Sequence, residues 1–384
     1  MNFYILNFSK INMKQKFYNY KKYLQVFSLT FIIFLLIILL VNLNIDPGKV
    51  YPNKFKFLNN KSTNVDDVVN SLIKNKNGII LKSGIFNDRD LARSFSKNIN
   101  NADCIIFGSS HIQLINLTGT NKSFKNICKS ILNFGINGGV IEDYIALSKN
   151  IDLKKNSENK KIFLTIHPWT LNLNRDNRWQ RNIDDYEFIL KKITNSEGEK
   201  TKKSLYNNLL IKNLFNFDYF VESIKSFKNR NSSLDFVYDL EKKYESQILL
   251  YDGSIIKPDK KFIDAEKHIK KGLANYKIQK NNLIDKNAIF LLTKYIEYFE
   301  NNFEIIFLLS PYHPEVWKNK HSDVIDAMLL VEDKVHSIAK RNKINVLGSF
   351  KPQKVGCDEN EFFDLLHPKK SCLSKIEKLK FYYK

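Results

Sequence analysis

Three residues that stand far apart in the sequence have the types and spacing of a nucleophile with its base. Ser110 follows a short apolar run, and Asp364 stands three residues before His367 near the C-terminus. In a D-x-x-H turn the carboxylate can hold the imidazole in one tautomer, so that the other ring nitrogen takes a proton from a serine hydroxyl. The pattern predicts that Ser110 attacks, His367 is the base and Asp364 orients the base.

The sequence around Ser110 also allows a purely structural interpretation. The tetrapeptide GSSH at 108–111 lacks the second glycine of a G-x-S-x-G elbow. Serine is a good N-cap, so Ser109 or Ser110 is alternatively the cap of a following helix. A serine on the turn after a buried strand is also exposed at the sheet edge, beside a helix N-terminus that favours negative charge. The terminal D-x-x-H favours the catalytic interpretation.

Further polar residues fall at other predicted strand ends and are candidates for binding a substrate. They are His111, Asn137, His167 and His313. Alternatively, His111 faces solvent and His313 is a packed turn residue. No histidine pair has H-x-x-x-H spacing and the sequence contains no C-x-x-C, so it predicts no metal site and implies no cofactor.

The elements that must position these residues follow a repeating order. A short apolar strand, a loop with glycine or polar residues and a helix recur roughly every 25–30 residues, which is typical of βα units on a parallel sheet. Functional groups gather at the carboxyl ends of such strands. We predict strands at 104–107, 131–133, 161–166, 303–309 and 344–347.

These motifs resemble the blocks of the SGNH (GDSL-type) hydrolase superfamily, over roughly residues 100–170 and 300–384. The resemblance is narrower to its membrane-anchored, extracytoplasmic branch, which acts on or assists the modification of envelope polymers. It implies that Ser110 is the nucleophile and that Asp364 and His367 complete a triad. The segment NFGINGG at 133–139 resembles the second block, so Gly138 and the Ser110 N–H are the implied oxyanion donors. The implied fold is a flavodoxin-like three-layer α/β parallel sheet.

The third block departs from the family pattern. That block normally supplies an asparagine in G-x-N-D, but the strand end here is TIHPW at 165–169. Loss of one oxyanion donor can cost roughly 10²–10³ in turnover. Either His167, Asn172 or Asn137 substitutes, or the site is weak, altered or inactive.

The resemblance leaves two functions open. The first is a serine esterase or O-acyltransferase that acts on a cell-envelope or surface polysaccharide. The second is a non-catalytic accessory protein for modification of an envelope polymer, on a degenerate SGNH scaffold. The implied partners are an envelope glycan or acyl-carrying substrate and an envelope-biosynthesis membrane protein.

The four cysteines are too few for a disulfide framework. Cys357 and Cys372 flank the D-x-x-H motif. In an oxidising compartment they can form a disulfide, and the alternative is that both are free thiols. Cys104 stands in a predicted core strand, and we expect Cys128 to be a lone packed thiol.

A long apolar segment near the N-terminus predicts a membrane anchor. No charged residue lies between Lys22 and Asp46, and about 20 residues of helix span a hydrocarbon core. No A-x-A-like cleavage site follows, which disfavours a cleaved signal peptide. Five lysines and no acid in residues 1–25 predict a cytoplasmic N-terminus. The remainder should lie in the periplasm or outside the cell, attached to the inner or plasma membrane by a single pass.

The net charge of +21 at pH 7 is the feature that most suggests nucleic acid. The sequence contains no recognised nucleic-acid-binding motif, and an exported domain does not meet nucleic acid, so no such partner is predicted. We divide the chain into a cytoplasmic tail (1–23), a transmembrane helix (24–43), a juxtamembrane lead-in (44–98) and an SGNH-like domain (99–384). That domain contains a mostly helical insertion at about 175–285.

Overall fold

The main sheet is mixed but mostly parallel. A computed structural model describes residues 2–46, 64–82, 86–118, 124–153, 160–173, 176–194, 214–229, 234–240, 242–258, 284–318 and 322–383. Six strands form the sheet, and the last is antiparallel. They are β2 (Cys104–Ser109), β3 (Ile131–Ile136), β4 (Lys161–Thr165), β8 (Glu304–Leu309), β9 (Asn345–Gly348) and β10 (Lys380–Phe381).

The strand order places β8 and β4 at the centre and β3 at one edge. Across the sheet the order is β10-β9-β8-β4-β2-β3, so the five parallel strands lie 2-1-3-4-5 in chain order. This is the order of flavodoxin-like sheets, in which sites form outside the carboxyl ends of the strands. The predicted strands are therefore confirmed within one to three residues at each end.

Both faces of the sheet are buried, which explains the continuous apolar runs. Along β2, Ile105 and Phe107 face one core, and Cys104 and Ile106 face the other. The first core is covered by helices, and the second by short segments. The helices are α2 (Val65–Asn75), α3 (Asp88–Ser96), α4 (Ile141–Leu147), α5 (Ile183–Thr194), α7 (Lys286–Phe299) and α9 (Ser322–Arg341). Shorter helices are α8 (Pro314–Lys318), α10 (Pro352–Val355) and α11 (Lys370–Ile376).

The described part of the insertion is helical over most of its secondary structure, as expected, but it also contains short strands. Besides α5 and the helix Phe217–Asn229, its described residues form β5 (Phe236–Val237), β6 (Ile248–Leu250) and β7 (Ile255–Ile256). With β1 (Gly78–Ile80) they make an antiparallel sheet of four strands in the order β5-β1-β6-β7. Ile255 N–H donates to the Gln113 carbonyl at 2.7 Å, which ties this sheet to the turn after β2.

Two disulfides fasten the face that lacks long helices. Cys104 is bridged to Cys128, which corrects the expectation that Cys128 is a lone thiol, and Cys357 is bridged to Cys372. All four cysteines belong to the same apolar core. The second bridge closes a segment of 15 residues that contains the D-x-x-H turn.

We expect the paired substitution Cys357→Ser with Cys372→Ser to lower the free energy of unfolding by about 3 kcal/mol, because the unfolded chain regains the freedom of an open loop. Urea unfolding followed by tryptophan fluorescence measures this loss. Wild type with both disulfides reduced should lose at least as much free energy of unfolding. An unchanged urea midpoint in the double variant would contradict the prediction.

The N-terminal helix belongs to a separate, smaller unit. The chain divides into two units: residues 2–46 and 214–229 form the smaller, and the remaining described residues form the larger. The smaller unit contains α1 (Asn2–Ile45) and α6 (Phe217–Asn229). From Tyr20 to Ile45, α1 is long and apolar enough to cross a membrane. The expected lead-in divides between the units, since α2 and α3 pack into the core of the larger one.

Candidate functional site

Ser110, His367 and Asp364 form a hydrogen-bonded chain at the carboxyl end of β2. The Ser110 Oγ lies 2.9 Å from His367 Nε2. On the other side of the ring, His367 Nδ1 lies 2.7 Å from Asp364 Oδ2 and 3.0 Å from Oδ1. The serine is half-buried at the end of its strand, so its hydroxyl is reachable. These distances are those of a serine nucleophile with its base and orienting carboxylate.

Asp364 is held by the turn that it begins. Its Oδ1 accepts the backbone N–H groups of Leu366 and His367, each at 2.8 Å. Burial alone would raise the pKa of Asp364, but the bond and charge of His367, together with these N–H donors, bring it to about 2. The carboxylate therefore stays ionised at any physiological pH and favours the imidazole tautomer with its proton on Nδ1.

Ser109 takes the capping role that the sequence left open between the two serines. Its Oγ accepts the His111 N–H at 3.4 Å, at the start of a single 3₁₀ turn (Ser110–Ile112) rather than the expected longer helix. The same oxygen lies 2.8 Å from His167 Nε2. Ser109 is completely buried, so this second serine–histidine pair does not compete with Ser110 for a substrate.

The rings of His111, His167 and His367 lie next to one another near Ser110. The His111 ring centroid is 4.6 Å from that of His167 and 5.0 Å from that of His367, and His167 stacks on Trp169 at 4.7 Å. Burial, aided by the charge of His367, lowers the pKa of His167 to about 3. Burial, aided by His167 and His367, also lowers the pKa of His111 well below its usual value. Two of the candidate substrate-binding residues, His111 and His167, are thus neutral, buried rings, and His111 packs against the base.

We expect His111→Phe to make the protein more resistant to acid. Neither ring nitrogen of His111 has a hydrogen-bond partner among the described residues, so phenylalanine keeps the packing and removes the titrating group. Because its folded pKa is depressed, wild type loses stability as pH falls below about 6.5, by up to about 1.4 kcal/mol per pH unit. Urea unfolding midpoints should show that the variant is more stable relative to wild type at pH 5 than at pH 7.5. An equal difference at both values would contradict this.

The loop after β3 brings Gly138 to the same edge of the sheet. The adjacent Asn137 has its backbone tied on both sides: its N–H donates to Asp88 Oδ2 at 2.7 Å and its carbonyl accepts from Arg178 Nη2 at 2.8 Å. Gly138 has a φ of +65°, which favours glycine. Its own N–H makes no hydrogen bond to any residue in the described ranges. Such an N–H is available to a developing oxyanion.

A buried ion pair lies beneath this loop. Arg89 donates to both carboxylate oxygens of Asp143 at 2.9 Å, and its Nη1 is 3.4 Å from the Asn137 carbonyl. Burial raises the pKa of Asp143 to about 6, although the Arg89 charge favours the ionised form. The Asp143 carboxylate also accepts the Val140 N–H at 3.2 Å. Arg89 and Asp143 are therefore positioning residues for the loop.

No asparagine follows β4 in the register of the third SGNH block, and the strand end leads into His167. The His167 ring is hydrogen-bonded to the Ser109 hydroxyl, and the His167 backbone N–H donates to Thr170 Oγ1 at 3.0 Å. Asn172 is buried and closes a turn, with its N–H 3.1 Å from the Trp169 carbonyl. Neither residue after β4 therefore supplies the side-chain amide that the third SGNH block would provide in this register.

His313 lies behind the D-x-x-H turn rather than beside Ser110. Its N–H donates to the Leu365 carbonyl at 3.0 Å, its Nδ1 accepts the Glu315 N–H at 3.1 Å, and its ring contacts Phe362 at 5.3 Å. These contacts support the segment that holds Asp364.

No local sequence pattern predicts three residues that act on the site. Besides Arg89 and Asp143, Lys257 follows β7 and reaches the same region. Its charge acts on Asp364 and on His111, and burial lowers the pKa of its ammonium. Nothing distinguishes this lysine locally from the many others. The buried arginine lies on α3, within the segment expected to be a juxtamembrane lead-in.

Comparisons of the chain with protein-family models, curated proteins and solved structures find no match. In the part of the chain that the structure describes, no group of three His, Cys, Asp or Glu side chains could hold a metal ion. The chemistry of the site must therefore be argued from the geometry of its own residues.

Proposed function

We propose that the protein is a membrane-anchored, SGNH-like serine esterase or O-acyltransferase that acts on an acylated cell-envelope glycan. The observation that carries the proposal is the hydrogen-bonded chain from Ser110 through His367 to Asp364. The five parallel strands in the order 2-1-3-4-5, with the nucleophile after the first, support the SGNH-like interpretation.

The proposed reaction uses these residues in sequence. Ser110 attacks the acyl carbonyl while His367 takes its proton, and Asp364 stabilises the imidazolium. The N–H groups of Ser110 and Gly138 bind the oxyanion. His367 then protonates the leaving alkoxide, which leaves the acyl group on Ser110. Water completes a hydrolysis, and a sugar hydroxyl completes a transfer.

Two independent features support the proposed compartment. Disulfides persist in oxidising compartments, and this chain has two. The apolar helix from Tyr20 to Ile45 supports a single membrane span, and the lysines before it favour a cytoplasmic N-terminus. Most of the net charge of +21 lies after the span, and it would hold an exported domain close to anionic envelope polymers. A membrane protein of envelope biosynthesis is the proposed source of the acyl donor.

A fluorophosphonate probe tests the proposed nucleophile directly. Such probes react with serines that a neighbouring base activates. We expect the full-length protein in detergent to incorporate one probe molecule on the peptide that contains Ser110, as measured by mass spectrometry. Ser110→Ala should abolish labelling and Ser109→Ala should retain it. Labelling that is equal in wild type and Ser110→Ala would overturn the proposal.

A non-catalytic accessory role on the same scaffold is the second candidate. The observation that favours it is the strand end after β4, where His167 is bonded to Ser109 and no asparagine donor is supplied. This role predicts no probe labelling of Ser110. It also predicts that an envelope-synthesis partner is retained by both wild type and Ser110→Ala in pull-down experiments.

A further inference from the structure

Helix α6 of the smaller unit carries an exposed apolar face. Phe217, Ile224 and Phe227 are 55%, 42% and 44% exposed, and Phe215 just before the helix is 51% exposed. At about 100° per residue, the apolar positions 217, 220, 221, 224 and 227 fall within an arc of about 120°. The acidic residues Asp218 and Glu222 lie on the opposite side of the helix. This pattern is typical of a helix that lies between an apolar phase and water.

A third face of α6 is fastened to the end of α1 by polar contacts. Ser223 Oγ donates to Asn42 Oδ1 at 3.2 Å, and Tyr219 hydroxyl donates to Asp46 Oδ1 at 2.6 Å. Asn42 Nδ2 also donates to the carbonyls of Leu214 and Asn216, at 3.0 and 3.1 Å. Asn42 and Asp46 are completely buried by these contacts, so α6 has a fixed position along α1.

Helix α6 is attached to α1 where the apolar segment of α1 ends. Before this point, α1 exposes side chains such as Leu36 and Leu40, while Ile38 is buried. Asn42 in the last turn of α1 and Asp46 directly after the helix are the residues that hold α6. The exposed face of α6 therefore lies at the same depth as the end of the apolar surface of α1. Aromatic side chains are enriched at this depth, where the hydrocarbon meets the headgroups.

We propose that α6 lies at the membrane–water interface on the non-cytoplasmic side of the membrane that α1 spans. Its apolar face would contact lipid and Asp218 would face water. The proposal rests on the membrane span proposed for α1. The occupant of the face is the bilayer itself, which gives the protein a second attachment beside its single span.

Site-directed spin labelling in lipid vesicles tests this arrangement. All four cysteines are in disulfides, so one introduced cysteine takes the only label. Full-length protein carrying Phe227→Cys or Phe217→Cys is labelled with a nitroxide and reconstituted in phosphatidylethanolamine–phosphatidylglycerol vesicles. Power saturation then compares collision with oxygen, which concentrates in lipid, and with a water-soluble nickel chelate. We expect the oxygen-to-nickel ratio to be at least threefold higher at both sites than at the neighbouring Asp218→Cys.

Labels elsewhere separate the failure of this inference from failure of the span. Leu36→Cys, within the proposed span, should give a lipid-type ratio, and the exposed Tyr238→Cys of the larger unit should give a water-type ratio. A water-type ratio at 217 and 227 with a lipid-type ratio at 36 would overturn the interfacial helix and leave the anchor. A water-type ratio at 36 would overturn both. Spin–spin broadening at 227 with low access to both reagents would show that a second copy covers the face, which also overturns the inference.

Discussion

We expect Ser110→Ala to lower kcat/KM for p-nitrophenyl acetate by about 10⁴-fold or more, to a rate near that of the buffer. The reason is geometric, since the Ser110 hydroxyl is the oxygen that lies 2.9 Å from the His367 base. His367→Ala should lose about as much, and the double variant should lose no more than either single one, because the three residues act as a unit. Initial rates of full-length protein in detergent measure all three.

Ser109→Ala is the matched control for this experiment. Its hydroxyl is adjacent in sequence and bonded to another histidine, His167, but it is buried and has no part in the proposed reaction. The control should lose some stability and keep kcat within about threefold, since only a buried hydrogen bond is removed. If Ser110→Ala and Ser109→Ala have equal rates that both match wild type, the esterase hypothesis is wrong and the accessory role is favoured.

The strands were predictable from the sequence because the main sheet is buried on both faces, so that its strands contain short continuous apolar runs. Residues 104–107 and 305–309 are clear examples. The small antiparallel sheet was not predictable for the opposite reason. Its strands are two or three residues long, and Gly78 pairs with Leu250 across a large part of the chain. A run as short as 248–250 carries no period that separates a strand from a helix.

The catalytic candidates were predictable because their geometry is local. Asp364 and His367 belong to one turn, and Ser110 needs only a strand end. Arg89 and Lys257 act through contacts made by the tertiary fold, in a chain that has 61 lysines and arginines. No local pattern marks which of these charges becomes buried. The Cys104–Cys128 bridge was missed because Cys104 continues an apolar strand and looks like any small core residue.

The second large effect is expected from Gly138→Ala, which should lower kcat by roughly 10²–10³-fold through the oxyanion hole. A Cβ at this position would lie 2.5 Å from Asp176 Oδ2 and 2.7 Å from Arg178 Nη2. Those two side chains can yield, but Arg178 holds the Asn137 carbonyl and so fixes the loop. The φ of +65° adds strain of about 1 kcal/mol for a residue with a side chain. The N–H of residue 138 would then point away from the developing charge, and KM should change less than kcat.

Gly356→Ala separates this effect from backbone strain. Gly356 also has a positive φ, +80°, but a Cβ there meets nothing within 4 Å, and it ends α10 outside the site. Both variants should lose similar stability in urea, of about 1 kcal/mol, while only Gly138→Ala loses turnover. Equal turnover in the two variants would mean that the Gly138 N–H does not bind the oxyanion. The loop held by Arg89 and Asp143 would then serve to support the fold, and the oxyanion would depend on the Ser110 N–H.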